Sequence, residues 1–315
     1  MVRTARLTAA AAAVALAALT VAGCASSDPL SGGASGGPGS GATSSGSGSA
    51  IVVGSAAFPE DEILAYVYAD ALQANGIDAS VSPNIGARDA YIAALKDGSI
   101  DLVPEYTGNL LQYFDQAATA QSSDDVYAAL QKAVPQGYEV LDQAQAQDAD
   151  SYNVTSEFSQ KWGVTSLADL SKVTDPLTVA ANPEFQDRPY GIPGLKSVYG
   201  VDATLLPIND GGGPNTVAAL TSGQAQLADI YTTTPAITQD NLVTLADPSH
   251  MIVAQNVVPL INSAKASDDV MRVLNKVQAS LTTDDLIQMN TQSSNDKTAA
   301  DDIAKQWLDQ KKLFG

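Results

Sequence analysis

Residues 91–114 read YIAALKDGSIDLVPEYTGNLLQYF. The spacing predicts a helix ending at Gly98, a short apolar strand Ile100–Val103, and a stop at Pro104 that leaves Tyr106 just past the strand. In open α/β sheets, ligands bind in the crevice outside such carboxyl ends. The pattern returns as TVAALTSGQAQLADIYTT, residues 216–233. Ala94, Leu95, Gly98, Leu102, Tyr106 and Thr107 match Ala219, Leu220, Gly223, Leu227, Tyr231 and Thr232, each pair 125 positions apart (231 less 106). A helix–Gly–strand–Tyr-Thr unit used twice predicts two similar lobes, each presenting a tyrosine from the same topological place. A chance likeness of two ordinary αβ units is the alternative, since two copies are few for a repeat.

Working outward, Ile51–Ser55 is a strand, and Pro59 suits the first turn of the helix that follows. That helix carries Ile63, Leu64, Val67, Tyr68, Ala71 and Leu72 on one face and ends at Gly76. A strand near Ala79–Val81, a helix near 124–133 and Glu139–Leu141 continue an alternating βα order, which implies a largely parallel sheet flanked by helices. The polar run Asp142–Asp150 breaks the pattern and looks like a crossing. A second βα series then begins with Leu177–Ala181, where Val179 lies 126 positions after Val53. It continues with a strand at Leu205–Ile208, a helix carrying Val217 and Leu220, then Tyr231 and a strand at Leu242–Leu245. Met251–Leu260 reads as a second crossing, and helices near 268–281 and 299–310 complete the first lobe. The expected domains are lobe I, 51–151 and 258–315, and lobe II, 152–257, with a small-molecule cleft between them.

What precedes residue 51 is expected to lie outside the fold. Arg3 and Arg6 form a positive start, Leu7–Thr20 an apolar stretch too short to favour a permanent span, and Val21-Ala22-Gly23-Cys24 a small-residue junction. Cys24 is the only cysteine among 315 residues, so no intramolecular disulfide is available to it. Residues 25–50 are Gly/Ser/Ala-rich and read as a flexible tether with a reach of roughly 25–30 Å. The net charge of −19 argues against nucleic-acid binding, which needs a basic footprint.

Few residues offer chemistry. His250 is the only histidine and sits in a polar loop, no nucleophile elbow is visible, and Cys/His metal spacings are missing, so neither enzyme activity nor a metal or cofactor is expected. Paired aspartates such as Asp124/Asp125 and Asp284/Asp285 stand where they complement helix dipoles. Gly211, Gly212 and Gly213 expose N–H groups at a helix start, suited to an anion or simply to a tight turn. Arg188, in FQDRPYGIPGL, either clamps a carboxylate or pairs on the surface with Asp187 or Glu184.

These blocks carry a family resemblance. IVVGSAAF, EDEILAYVYADALQANG, NIGARDAY and ALKDGSIDLVPEYTG, followed by EF-x-x-R-x-x-G-x-x-GL-x-x-x-YG (184–200), the YTT segment and LADP (245–248), resemble the osmoprotectant-binding proteins of ABC importers. Such proteins bind glycine betaine, choline, carnitine or proline betaine. The resemblance implies an α/β, two-lobed periplasmic-binding-protein-like fold (type II) with two crossover segments and an interlobe ligand cleft. It also implies an aromatic cage around a quaternary ammonium: Tyr106 and Tyr231 as walls, Tyr152 as a third, Arg188 on the carboxylate, and Asn109 where many members have threonine. Ala56 replaces a lysine donor, and Gln255-Asn256 stands where an aromatic residue precedes asparagine, so a reduced cage is expected. Small residues before Cys24 are similar to a lipobox, which implies a diacylated cysteine and a lipid-anchored protein on the extracytoplasmic face. The expected function is capture of a compatible solute and its delivery to an ABC permease with its ATPase, by a monomer. The alternatives are a binding lipoprotein for another polar or aromatic solute, and a sensor or scaffold with no transport role.

Overall fold

The structure, a computed structural model, describes residues 50–314; the leader, Cys24 and all but the last residue of the tether lie outside the described residues. The first series runs β1 (Ile51–Ala56), α1 (Pro59–Ala74), β2 (Ala79–Gly86), α2 (Arg88–Asp97), β3 (Leu102–Tyr106), α3 (Thr107–Phe114), α4 (Ser123–Ala133) and β4 (Tyr138–Val140). The second runs β5 (Tyr152–Thr155), α5 (Ser156–Trp162), β6 (Leu177–Ala181), α6 (Ile192–Tyr199), β7 (Ala203–Pro207), α7 (Pro214–Thr221), β8 (Leu227–Asp229), α8 (Ala236–Gln239) and β9 (Leu242–Thr244). The chain then returns through β10 (Val257–Asn262) to α9 (Asp268–Gln278), α10 (Thr283–Ser294) and α11 (Ala300–Lys311).

Two five-stranded sheets result, ordered β2-β1-β3-β10-β4 and β7-β6-β8-β5-β9. The repeat seen in the sequence is a repeat of topology. Val53 pairs with Leu102 in the first sheet and Val179 with Leu227 in the second, both in parallel. The expectation of largely parallel sheets is corrected at the crossings. β10 runs antiparallel to β3 and β4, and β5 runs antiparallel to β8 and β9, because each enters its sheet from the opposite lobe.

Pro104 does not stop β3, which continues to Tyr106. It lies opposite Pro259, and the Thr107 N–H bonds to the Asn256 carbonyl at 3.0 Å. In an antiparallel ladder bonded pairs alternate, so 105/258 and 103/260 are bonded and the two prolines fall between, where neither N–H is needed. The strand therefore delivers Tyr106 as its last residue rather than beyond its end.

α1 starts with Pro59 and three acids, and all six residues of its predicted apolar face are fully buried. They pack against α9 and α11 through residues such as Leu274 and Trp307. Each such aliphatic side chain contributes about 1.5–3 kcal/mol by leaving water. α10, whose first turn the Asp284/Asp285 pair marked in the sequence, starts with a capping box in which Thr282 and Asp285 satisfy each other's backbone N–H.

The two crossings run side by side. Ala144 N–H bonds to Val257 O (2.8 Å), Val257 N–H to Ala146 O (3.0 Å) and Asp148 N–H to Gln255 O (3.1 Å). The connection between the sheets is thus a two-stranded ribbon.

Candidate functional site

Three rings meet between the sheets. Phe58 ends the loop after β1, in extended backbone immediately before α1. Its ring centroid lies 6.1 Å from that of Tyr106 and 5.6 Å, edge-on, from that of Tyr231. One ring from the first repeat and one from the second therefore flank Phe58. Gly211, at φ +63°, closes against them; a Cβ there would come within 3.0 Å of the Phe58 Cβ. That close approach requires glycine. The cleft is also lined by Arg88, Asn109, Asp148, Asp150, Asn182 and Arg188.

Its charged groups are partnered. Arg88 bonds Glu105 through Nε and Nη2, both at 2.9 Å, and the Tyr91 hydroxyl donates to the same carboxylate at 2.8 Å. Burial works against the Arg88 charge, but Glu105 overrides it and holds the guanidinium above its ordinary range. Arg188 donates to the Tyr190 hydroxyl (2.7 Å), reaches Asp150 at 3.4 Å and lies 3.7 Å from Glu184. Asp150 also accepts from Asn109 Nδ2 at 2.8 Å. No donor among the described residues reaches either carboxyl oxygen of Asp229. Burial, and then Asp150, push the Asp229 carboxyl well above the usual carboxylate range.

A second acidic pair lies behind Tyr106. Glu60 accepts from the Tyr106 hydroxyl (2.7 Å), from Thr233 Oγ1 (2.6 Å) and from Asn290 Nδ2 (2.5 Å). Asp148 accepts from Thr233 N–H (3.0 Å) and Thr232 Oγ1 (3.1 Å). Burial raises both carboxyls, and the neighbouring Glu60 raises Asp148 further. Thr233 follows β8 while Glu60 and Asn290 belong to α1 and α10, so this cluster ties the two halves together.

The structure brings Tyr106, Tyr231, Arg188, Asn109 and Gly211 to one cleft. It places the others elsewhere. Tyr152 is no cage wall: it is 1% exposed, packs on Phe185 and donates its hydroxyl to Tyr190 O at 2.8 Å, because β5 carries it into the core of the second sheet. Gln255 and Asn256 are buried in the ribbon. Gln255 brackets Asn109, accepting from its N–H at 2.9 Å and donating to its Oδ1 at 2.7 Å, and Asn256 donates to Ala144 O at 2.8 Å. Of the two readings of Gly211–Gly213, anion contact or tight turn, the hydrogen bonds support the turn. Gly213 N–H bonds the Asp210 backbone and carboxylate, Asn215 and Thr216 N–H groups also bond Asp210, and Gly211 N–H bonds Asn182 Oδ1. The loop is a capped tight turn.

Sequence reasoning missed Phe58, Arg88, Glu60, Asp148, Asp150 and Asn182. Phe58 read only as the residue before a helix. Signals were available in the three acids after Pro59 and in Asp148-Ala149-Asp150, an acidic pair in a crossing.

Two α/β lobes joined by paired crossings around an aromatic-lined cleft are the architecture of a two-lobed small-solute binder. The comparisons agree. Residues 49–310 match the family model described as the substrate binding domain of ABC-type glycine betaine transport systems, and the chain belongs to that family. Among its relatives, the glycine betaine-binding protein YehZ of Escherichia coli (strain K12) is 26% identical over 276 residues, 83% of this chain and 90% of that protein. A glycine-betaine-binding protein of Pseudomonas aeruginosa is 27% identical over 221 residues, 66% of this chain and 70% of that one. A crystal structure described as a glycine betaine/carnitine/choline ABC transporter superposes with a TM-score of 0.68 at 18% identity, covering 84% of this chain and 100% of that one. The family is one of transport proteins, partnered by a small solute and a permease.

Proposed function

We propose that the cleft captures a small quaternary ammonium zwitterion of the glycine betaine class, and that the protein delivers it to the permease as a lipid-anchored monomer. The observation that carries this reading is the convergence of Phe58, Tyr106 and Tyr231, with Arg188 and Asn109 lining the same cleft. Each ring face over a cation contributes about 0.5–2 kcal/mol. Arg188 is the donor for the ligand carboxylate, which must compete with Asp150 for it. With Ala56 offering no cationic donor and Gln255 buried away from the cleft, affinity below that of a full cage is expected. The printed names of the two relatives support glycine betaine as the first ligand to try. Cys24 is the acylation site, and the ribbon at 142–152 and 251–259 is the hinge about which lobe I (51–151 and 258–315) and lobe II (152–257) close.

Titration calorimetry with glycine betaine, carnitine and choline tests the site. Tyr231→Ala should weaken glycine betaine about five- to thirtyfold. Arg188→Ala should weaken both carboxylate ligands more than choline, which lacks the carboxylate. No heat from any of the three ligands, or unchanged affinities in both variants, would overturn the reading.

A further inference from the structure

The backbone around Asp150 is pinned. Ala149 O accepts from Thr232 N–H and Ser151 O from Ile230 N–H, both at 3.0 Å, and Ala149 N–H donates to Thr232 Oγ1 at 3.0 Å. These bonds tie the end of the first crossing to the segment that carries Tyr231, and they set Asp150 at the cleft wall. Among the described residues, the hydrogen-bond donors that reach its carboxylate are Asn109 Nδ2, at 2.8 Å, and Arg188 Nη1, at 3.4 Å. Asn109 comes from α3 of the first lobe and Arg188 from the second. One internal carboxylate therefore holds the two cleft donors that a ligand carboxylate would meet.

The other acids of the cleft stand differently. Glu105 is engaged by Arg88 and Tyr91, and Asp148 by Thr232 and Thr233. Glu184 lies 3.7 Å from Arg188, but its side chain is 36% exposed against 2% for that of Asp150. Water and salt screen an exposed charge far more than a buried one. We infer that Asp150 is a specificity-determining residue, a built-in competitor that lowers affinity for glycine betaine relative to choline. This rests on the reading of the cleft as a betaine site. The Arg188 guanidinium carries one positive charge, and a zwitterion's carboxylate has to share it with Asp150 at short range and out of water. Choline brings no carboxylate to that contest, and its ammonium is attracted by the same acid.

The test is calorimetry on the whole protein with glycine betaine and choline. Asp150→Asn keeps an oxygen for Asn109 and removes the charge, and the ratio of glycine betaine affinity to choline affinity should rise about tenfold or more. Asp150→Ser removes the same charge should the first variant fail to fold. In an Arg188→Ala background the gain should vanish, so the double variant should bind glycine betaine no more tightly than Arg188→Ala alone. An unchanged or lower ratio in a variant that still binds either ligand overturns the inference. So does a glycine betaine gain that survives without Arg188. If the wild type binds neither ligand, the betaine reading of the cleft fails first and the inference goes with it.

Discussion

Replacing Asp148 by asparagine should leave the fold intact and change how stability responds to pH. The Oδ1 of Asp148 accepts from Thr233 N–H and Thr232 Oγ1, both of which an asparagine oxygen can accept equally. What changes is that the group at 148 can no longer ionise. In the wild type, burial and then Glu60 hold Asp148 above its ordinary value, so the folded protein keeps a proton that the unfolded chain releases near pH 4. A raised carboxyl stabilises the fold fully below the unfolded pKa, and that contribution is lost as pH rises towards the folded pKa. The loss is about 1.4 kcal/mol per pH unit for each proton taken up on folding. Urea unfolding at pH 5, 6 and 7 should therefore show the wild type losing stability relative to Asp148→Asn at up to about that slope. The raised carboxyls of Asp61 and Asp229 act equally in both proteins and cancel in the difference. Parallel pH profiles would mean that Asp148 is ionised in the folded state, and its raised carboxyl would have to be abandoned.

Tyr152→Phe should cost about 1–2 kcal/mol of stability through the lost bond to the Tyr190 carbonyl, yet leave ligand affinity unchanged; a drop in affinity at constant stability would restore it to the site. Small-angle scattering with and without saturating glycine betaine should give a smaller radius of gyration with ligand, and identical profiles would remove the ribbon as a hinge. Cys24→Ala should appear in the soluble fraction with an unaltered melting temperature. Retention in membranes together with incorporation of labelled fatty acid would rule out Cys24 as the anchor.

Much of the architecture was legible because hydrophobic periodicity and the repeated Gly–strand–Tyr unit are local signals. The face of α1, the span of β6 and the two cleft tyrosines all follow from them. Side-chain direction at the crossings was not legible. Whether Tyr152, Gln255 and Asn256 face a cleft depends on the strand or ribbon that receives them, and these segments carry no alternating pattern to read. Phe58 was hidden for the opposite reason: a residue before a helix has an ordinary explanation, and only the approach of Gly211 from the other half makes it central. The buried acids were masked in the same way, since Glu60 and Asp61 look like dipole partners on a first turn yet are 3% and 1% exposed.

The late arrival of β10 sets an order of assembly. β3 lies between β1 and a strand that begins at Val257, about 150 residues further along the chain. Every strand of the second sheet, by contrast, lies between Tyr152 and Thr244. A chain emerging amino-terminus first can thus finish its second sheet while β3 still presents an open edge, and β4, which pairs with β10, has no neighbour at all. Unpaired edges are templates for pairing with other chains, and non-local pairings close slowly. The interval before residues 257–262 emerge is therefore when the nascent protein is most exposed to misassembly, and a truncation that stops short of β10 should aggregate rather than fold.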